Sequence, residues 1–415
     1  MAELDLIDSI ERKSLIAYAQ MLGMTPRQFA KAKLAAIRRA QATVNANSLS
    51  AGVKRVLSLD IDDGAEPVTA LIALSKAGPR SNAAALCHLV SQHLATYGHL
   101  YAINWERLER NAREAGVQTG EQDWLLEYLL QISFIYAWAP NIEAFVNLFK
   151  NSAPRIVISA NLHNVFEVGI VPLVLNMLSA DGKTVPLQRR DLTPELVNLS
   201  AEIIIAIADT YLHRNLNAID PYLNPTSRQG WVLQHTEIVD TVGTLISAGA
   251  LDFVYLHEIA HAVFAHEGAD PKLSELEADN LAINCVLQDR RQIGNGDDLL
   301  ACFGAAGAVI ACQFFELIDA LAGSPTSDSH PPMLFRRATL SLSILGALAK
   351  DCLPNYQGLN EIAHRLFRAA REKVGSPCDV SAGVAELNEF RAVVIPSDKD
   401  PYIFAIKRGT TNSKT

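Results

Sequence analysis

Two histidines and a glutamate at regular spacing are the residues of this chain best suited to chemistry. The stretch HEIAH places His257 and His261 four positions apart, with Glu258 directly after the first histidine. In an α-helix such histidines lie one turn apart on the same face, so both imidazoles can reach one ion. Glu258 lies on the adjacent flank, where it can contact a metal-bound water instead of the metal. The spacing predicts a zinc site of the HExxH type with Glu258 as general base.

A third ligand is expected on the helix that follows. Asp270 and Pro271 suit the N-cap and the first position of that helix, so a very short turn should join two antiparallel helices. At 1.5 Å per residue, His261 lies about 9 Å from the turn and Glu275 about 7.5 Å from it. We therefore expect Glu275 to complete a zinc site with His257 and His261.

Asp279 lies one turn beyond Glu275 on the same helix face. Its distance from the turn is about 13.5 Å and that of His257 is about 15 Å, so Asp279 can accept a hydrogen bond from the far nitrogen of His257. Glu277 is the competing third ligand. It lies about 200° around the helix from Glu275, and its alternative role is structural, because SELE is typical of a capping box.

Two other residues near the motif, Glu267 and His266, are less suited to binding the ion. Glu267 lies too far along the helix axis from His257, and His266 is turned away from the ligand face. A near copy of the motif, NEIAH, has Asn360 where the first histidine should be, and no ExxxD helix follows it. This second stretch predicts an amphipathic surface helix.

A separate group of histidines falls within twelve residues, at His88, His93 and His99. No cysteine or paired acid completes a ligand set around them. We expect them to be exposed or packed rather than metal-bound.

The order of these motifs resembles that of a known class of enzymes. HEIAH followed by ELEAD resembles the gluzincin metallopeptidases, whose pattern is HExxH followed by ExxxD. The chain is similar to the CAAX-prenyl-protease and heat-shock membrane protease group, which often carries a third element like SHPPMLFR at residues 329–336. That resemblance implies that His330 and Arg336 approach the active site, where one of them would stabilise the oxyanion.

The resemblance covers roughly residues 245–340 and departs from that group in two ways. Only 13 residues separate His261 from Glu275, and no clear membrane helices are present. On both points the chain is more similar to the soluble phage-exclusion Lit peptidases. Cleavage of a translation factor, or a role in phage defence, would follow from that similarity by analogy alone.

The predicted function is hydrolysis of a peptide bond in a peptide or protein by a zinc metalloendopeptidase. Two imidazoles and one carboxylate leave zinc a fourth position for water, as catalytic sites require. Glu258 would take the proton of that water and pass it to the leaving amine. Two alternatives stay open: a non-catalytic helical adaptor with a structural or vestigial metal site, and a membrane-associated protease.

The amino-acid composition is typical of an acidic, folded protein. Hydrophobic residues make up 49% of the chain, and the net charge of -9 provides no basic surface for nucleic acid. Six cysteines without a CxxC pair suit a reducing compartment. The N-terminus, MAELDLIDSIERK, carries acids where a signal peptide needs a basic start. We expect a cytoplasmic protein with no nucleic-acid partner and no stable membrane insertion.

The elements that must position the site are predicted to be mainly α-helical with a small β component. We expect a helical N-terminal domain at 1–150 that could bind a partner or substrate, and a zincin-like peptidase domain at 151–375. A C-terminal extension at 376–415 should have a disordered end. The apolar segment Leu299 to Phe315 is shorter than the span of about 20 residues that a bilayer needs, which favours a closely packed buried helix.

Several shorter stretches carry their own signals. Two helices are predicted from their cap signals. Thr25 should cap the helix in TPRQFAKAKLAAIRRAQATV, and Thr193 should cap the helix in DLTPELVNLSAEIIIAIADTYLHR. EQDWLLEYLLQISFIYAWAP reads as a core helix that stops at Pro140. RIVIS and WVLQHTEIV read as short strands.

Overall fold

The protein is mostly helical with small β-sheets, in agreement with the predicted fold class. A computed structural model describes residues 2–43, 66–120, 123–138, 144–147, 153–159, 162, 165–176, 178–179, 188–189, 193–212, 237–264, 271–294, 298–322, 352–375, 390–395 and 403–408, with short stretches between 336 and 350.

The helices of the N-terminal half are α1 (Ala2–Met21), α2 (Pro26–Thr43), α3 (Pro67–Tyr97), α4 (Trp105–Glu114), α5 (Trp124–Leu130) and α6 (Val171–Asn176). A 3-10 turn at Gly98–Leu100 follows α3, and a π-helical segment at Val165–Ile170 precedes α6. Those that follow are α7 (Pro194–Leu212), α8 (Glu237–Phe264), α9 (Pro271–Ile293), α10 (Asp298–Ala322) and α11 (Leu353–Lys373).

The described strands form three small sheets. One sheet contains β1 (Ser133–Ala137), β2 (Ala144–Asn147) and β3 (Arg155–Ser159) in the order β1-β3-β2, with β3 parallel to β1 and antiparallel to β2. Two antiparallel pairs are β4 (Leu178–Ser179) with β5 (Gln188–Arg189), and β6 (Phe390–Ile395) with β7 (Ile403–Arg408).

The outer edge of β1 is covered by side chains of α1. Glu11 accepts a hydrogen bond from the backbone N–H of Tyr136, and Ser14 accepts one from that of Trp138. Strand edges expose N–H groups that need partners. The first helix is therefore tied to the sheet by polar contacts as well as by packing.

Close packing of α8 against α10 explains the small residues of α10. A Cβ atom at Gly307 would lie 2.2 Å from the carbonyl oxygen of Ile246, and one at Gly249 would lie 2.6 Å from the Cα of Gly304. Only glycines allow two helix backbones to approach this closely. The prediction of a buried, closely packed helix is confirmed for this segment.

By length and composition, the stretch Asp298–Leu321 is also the one helix among the described residues that could cross a membrane. In the folded chain, 83% of an apolar 18-residue stretch of this helix is buried.

Two predicted elements differ from the structure. The stretch predicted as one core helix up to Pro140 forms α5, which ends at Leu130, and then strand β1. Its second half, SFIYA, is β-branched and aromatic, and pairing with β3 overrides the helical pattern. The predicted strand WVLQHTEIV is also wrong at its end, because Glu237 already begins α8; the part before it lies outside the described residues.

Other local predictions are confirmed. Thr25 caps α2 by accepting a hydrogen bond from the N–H of Gln28 at 3.2 Å, and Thr193 caps α7 by accepting one from Leu196 at 3.3 Å. RIVIS is strand β3. These signals succeed because caps and short buried strands depend on neighbouring residues.

Among the residues that the structure describes, the buried hydrophobic side chains form two clusters. The larger one draws on buried side chains from Ala83 to Ala370, on both sides of the predicted boundary near residue 150. The smaller one joins α1, α2, the start of α3 and Trp138. The three-part division of the chain stays a prediction, and much of 376–415 lies outside the described residues.

Candidate metal centre

Helices α8 and α9 bring the three predicted ligands together. The Nε2 atoms of His257 and His261 are 3.0 Å apart. Glu275 places one carboxylate oxygen 3.4 Å from Nε2 of His257 and the other 3.3 Å from Nε2 of His261. These ligand atoms all lie within 4.8 Å of one another, so the three residues form a group that could hold a metal ion.

The chemistry and spacing of this donor set fit zinc. Tetrahedral bonds of about 2.0–2.1 Å separate neighbouring ligand atoms by about 3.3 Å. The two nitrogens are 3.0 Å apart, and each lies 3.3 or 3.4 Å from a different oxygen of Glu275, so the group is compact enough to close around one ion. Two nitrogens and one carboxylate oxygen are also a common donor set of catalytic zinc sites.

Asp279 lies behind His257, one turn from Glu275. Its Oδ1 atom is 3.0 Å from Nδ1 of His257, the nitrogen that faces away from the ligand cluster. Burial alone would lower the pKa of His257, but hydrogen bonds to Asp279 and Glu275 raise it, so metal binding at this imidazole would displace a proton. A hydrogen bond of this kind fixes the imidazole ring and directs its other nitrogen toward a metal.

Arg336 connects the two carboxylates. Its Nε and Nη2 atoms donate to Asp279 at 2.7 and 2.6 Å, and its Nη1 atom lies 3.1 Å from Glu275. Burial would raise the pKa of both carboxyl groups, but the guanidinium holds each pKa below its ordinary value. Both acids are therefore charged, and Glu275 is kept in the form that binds metals.

Glu258 is buried beside this group, with 6% of its surface exposed. Burial raises the pKa of its carboxyl to about 7; the charge of His257 opposes this shift, and that of Glu275 adds to it. Its acidity near neutral pH suits a group that must accept and then release a proton.

The remaining candidates have different outcomes. Of the described residues, the group able to share an ion contains Glu275 and not Glu277. His330 lies outside the described residues, as do His266, Glu267 and Asp270, so their predicted roles stay predictions.

Sequence reasoning named Arg336 but not its partners. The resemblance implied an oxyanion donor, whereas three guanidinium nitrogens contact Asp279 and Glu275. The arginine is 57 positions from Asp279, so no local spacing rule joins them. The signal available in the sequence was the SHPPMLFR element alone.

The sequence motifs also gave no indication of a polar network between α3 and α9. His93 contacts Gln288 through Nδ1 at 2.8 Å and the hydroxyl of Tyr101 through Nε2 at 2.7 Å, while Asn284 donates to the same hydroxyl at 3.0 Å. These contacts join α3 to α9. A possible signal was the polar series Asn280, Asn284 and Gln288, which repeats every four residues along one helix face.

Part of the chain matches the model of a known protein family. Residues 192–343 match the model of the family Peptidase U49, a Lit-like peptidase family. The match includes α7 to α10 and Arg336, and supports a peptidase that acts on proteins or peptides. No curated protein and no solved structure matches the chain.

Proposed function

We propose that this protein is a zinc-dependent metalloendopeptidase of the gluzincin type, with His257, His261 and Glu275 as zinc ligands. The observation that carries the proposal is the convergence of three suitable ligand atoms within 4.8 Å. Glu258, directly after His257 and buried beside the ligand group, supplies the general base such a site needs. The match to a peptidase family model supports the same reaction class.

A bound zinc ion would lower the pKa of a water molecule and polarise the substrate carbonyl. Glu258 accepts the proton of the attacking water and delivers it to the leaving amine. Because it is buried, this carboxyl is shielded from bulk water.

We assign Arg336 to ligand positioning in place of oxyanion stabilisation. Its contacts with Asp279 and Glu275 engage Nε, Nη1 and Nη2. Asp279 in turn orients His257 through Nδ1. The oxyanion donor is then expected elsewhere, and His330 keeps that role by resemblance.

The test is hydrolysis of a quenched-fluorescent peptide library by the zinc-loaded full-length protein. Glu258→Gln should lower the rate at least about 100-fold, the smaller end of what general bases contribute, while zinc binding is retained. Glu277→Gln, a matched change on α9 outside the ligand group, should leave the rate near that of the unmodified protein.

Undiminished hydrolysis by Glu258→Gln would contradict the mechanism. Failure of the zinc-loaded protein to cleave any library member, with equal stability in the presence and absence of a chelator, would instead support the adaptor alternative.

A further inference from the structure

An open pocket of about 530 Å³ lies beside α11. Arg337, Tyr356, Asn360 and His364 are among its lining residues. Of the described residues that line it, none belongs to the metal centre. Three residues of the NEIAH stretch line the pocket, and that stretch has no role in the proposed hydrolysis.

Beside this pocket, two arginines and one glutamate leave a single net positive charge; Arg337 is the one of the three that lines the pocket. Arg337 lies 3.3 Å from one oxygen of Glu316, and Arg371 is paired with the other oxygen of the same carboxylate. Both arginines are buried. Two guanidinium groups thus share one carboxylate, and charges in such surroundings are weakly screened by water.

The pKa of His364, on the pocket side of α11, is affected by burial and by the charge of Arg337. Burial lowers the pKa of its imidazole, and the charges of Arg337 and Arg368 lower it further. His364 lines the pocket, and its lowered pKa keeps the imidazole neutral at neutral pH.

Neutral hydrogen-bonding groups complete the lining. Gln357 and Asn360 follow one another by about a helix turn on α11 and contribute side-chain amides, while Leu345 adds an apolar edge. Glu361 is the one acid among the described lining residues; its side chain is 48% exposed and lies 3.6 Å from Arg365. Its charge should oppose an anion, but from a solvated and partly screened position.

We propose that this pocket binds a small oxyanion, a phosphate or carboxylate group, with Arg337 supplying charge and Asn360 and His364 supplying neutral hydrogen bonds. Guanidinium groups form strong charge-assisted hydrogen bonds with these groups. The five donors of a guanidinium can serve several acceptors together, so Arg337 can contact a ligand while keeping Glu316. The proposal is independent of the proposed peptidase activity.

Isothermal titration of the full-length protein with inorganic phosphate, and separately with sodium acetate at matched ionic strength, tests this site. Asn360→Leu and His364→Leu should each weaken binding about fivefold, the typical effect of one lost hydrogen bond. Glu361→Gln should strengthen it about threefold, because a repelling charge is removed. Glu109→Gln, a change at an exposed carboxylate on α4, is the matched control and should leave affinity unchanged.

The two anions separate the possible sources of the ligand group. Tighter phosphate binding assigns the site to phosphorylated ligands, and tighter acetate binding assigns it to carboxylates. Saturable binding of neither anion would overturn the proposal. Equal responses of Glu361→Gln and Glu109→Gln would do so as well. Circular dichroism of each variant shows whether the helices are retained, and Arg337 is left unchanged because it pairs with Glu316.

Discussion

Arg336 contacts two acidic residues at the candidate metal centre. It contacts Asp279 through two nitrogens and Glu275 through a third. A guanidinium matches this arrangement because its donors form a rigid planar fork. Lysine has the same charge but presents it as a single point, so it cannot hold both carboxylates in this geometry.

Arg336→Lys should therefore weaken zinc binding by roughly 10- to 100-fold, the usual cost of losing a group that orients metal ligands. The measurement is competition for zinc against a chromophoric chelator. Arg113→Lys, in an exposed pair with Glu109 on α4, should leave zinc affinity unchanged. Unchanged zinc affinity in Arg336→Lys, together with lost hydrolysis, would favour an oxyanion role and contradict the positioning role.

Helical phase and rise were sufficient to predict from the sequence which three residues come together. His257, His261 and Glu275 needed only two helices and a short turn between them. The arginine could not be paired in the same way, because its contact with Asp279 spans 57 positions and depends on tertiary packing.

At the scale of elements, the contact between α3 and α9 depends on a buried histidine. Burial lowers the pKa of His93 to about 4 from its ordinary value of 6.5, although its hydrogen bond to Gln288 opposes the shift. The folded protein then binds fewer protons than the unfolded chain between these values. The contribution of neutral His93 to the free energy of unfolding is therefore complete above pH 6.5, and it decreases as the pH falls toward 4.

His93→Gln should reduce the acid sensitivity of folding. Between pH 7.5 and 5.0 the unmodified protein should lose about 2 kcal/mol more unfolding free energy than the variant, at about 1.4 kcal/mol per pH unit below 6.5. Urea denaturation at the two pH values measures this difference. His88→Gln, at an exposed position on the same helix, should behave like the unmodified protein. Parallel losses in all three proteins would show that His93 does not titrate on unfolding in this range.

The strand β1 marks the limit of local prediction for elements. The sequence before Pro140 has a helical apolar pattern, but its second half pairs with β3 and is covered by Glu11 and Ser14 of α1. These partners lie far away in sequence. Caps such as Thr25 were predictable, because their partners are three residues away.

For the whole molecule, composition and motif order were enough to predict a mainly helical fold and a peptidase. The balance of apolar and charged residues identified a folded chain, and the ordered motifs indicated the reaction class that the family match supports. The small sheets and the division of the core into two clusters depend on distant contacts, and neither followed from local patterns.

The most direct test of the central claim is the zinc content of the purified full-length protein beside Glu275→Ala and Glu277→Ala, measured by mass spectrometry after dialysis against a weak chelator. The unmodified protein and Glu277→Ala should each retain about one zinc per chain, and Glu275→Ala should lose it, because removing a ligand leaves only two imidazoles. Zinc retained by Glu275→Ala and lost by Glu277→Ala, or no zinc in the unmodified protein, would contradict the account.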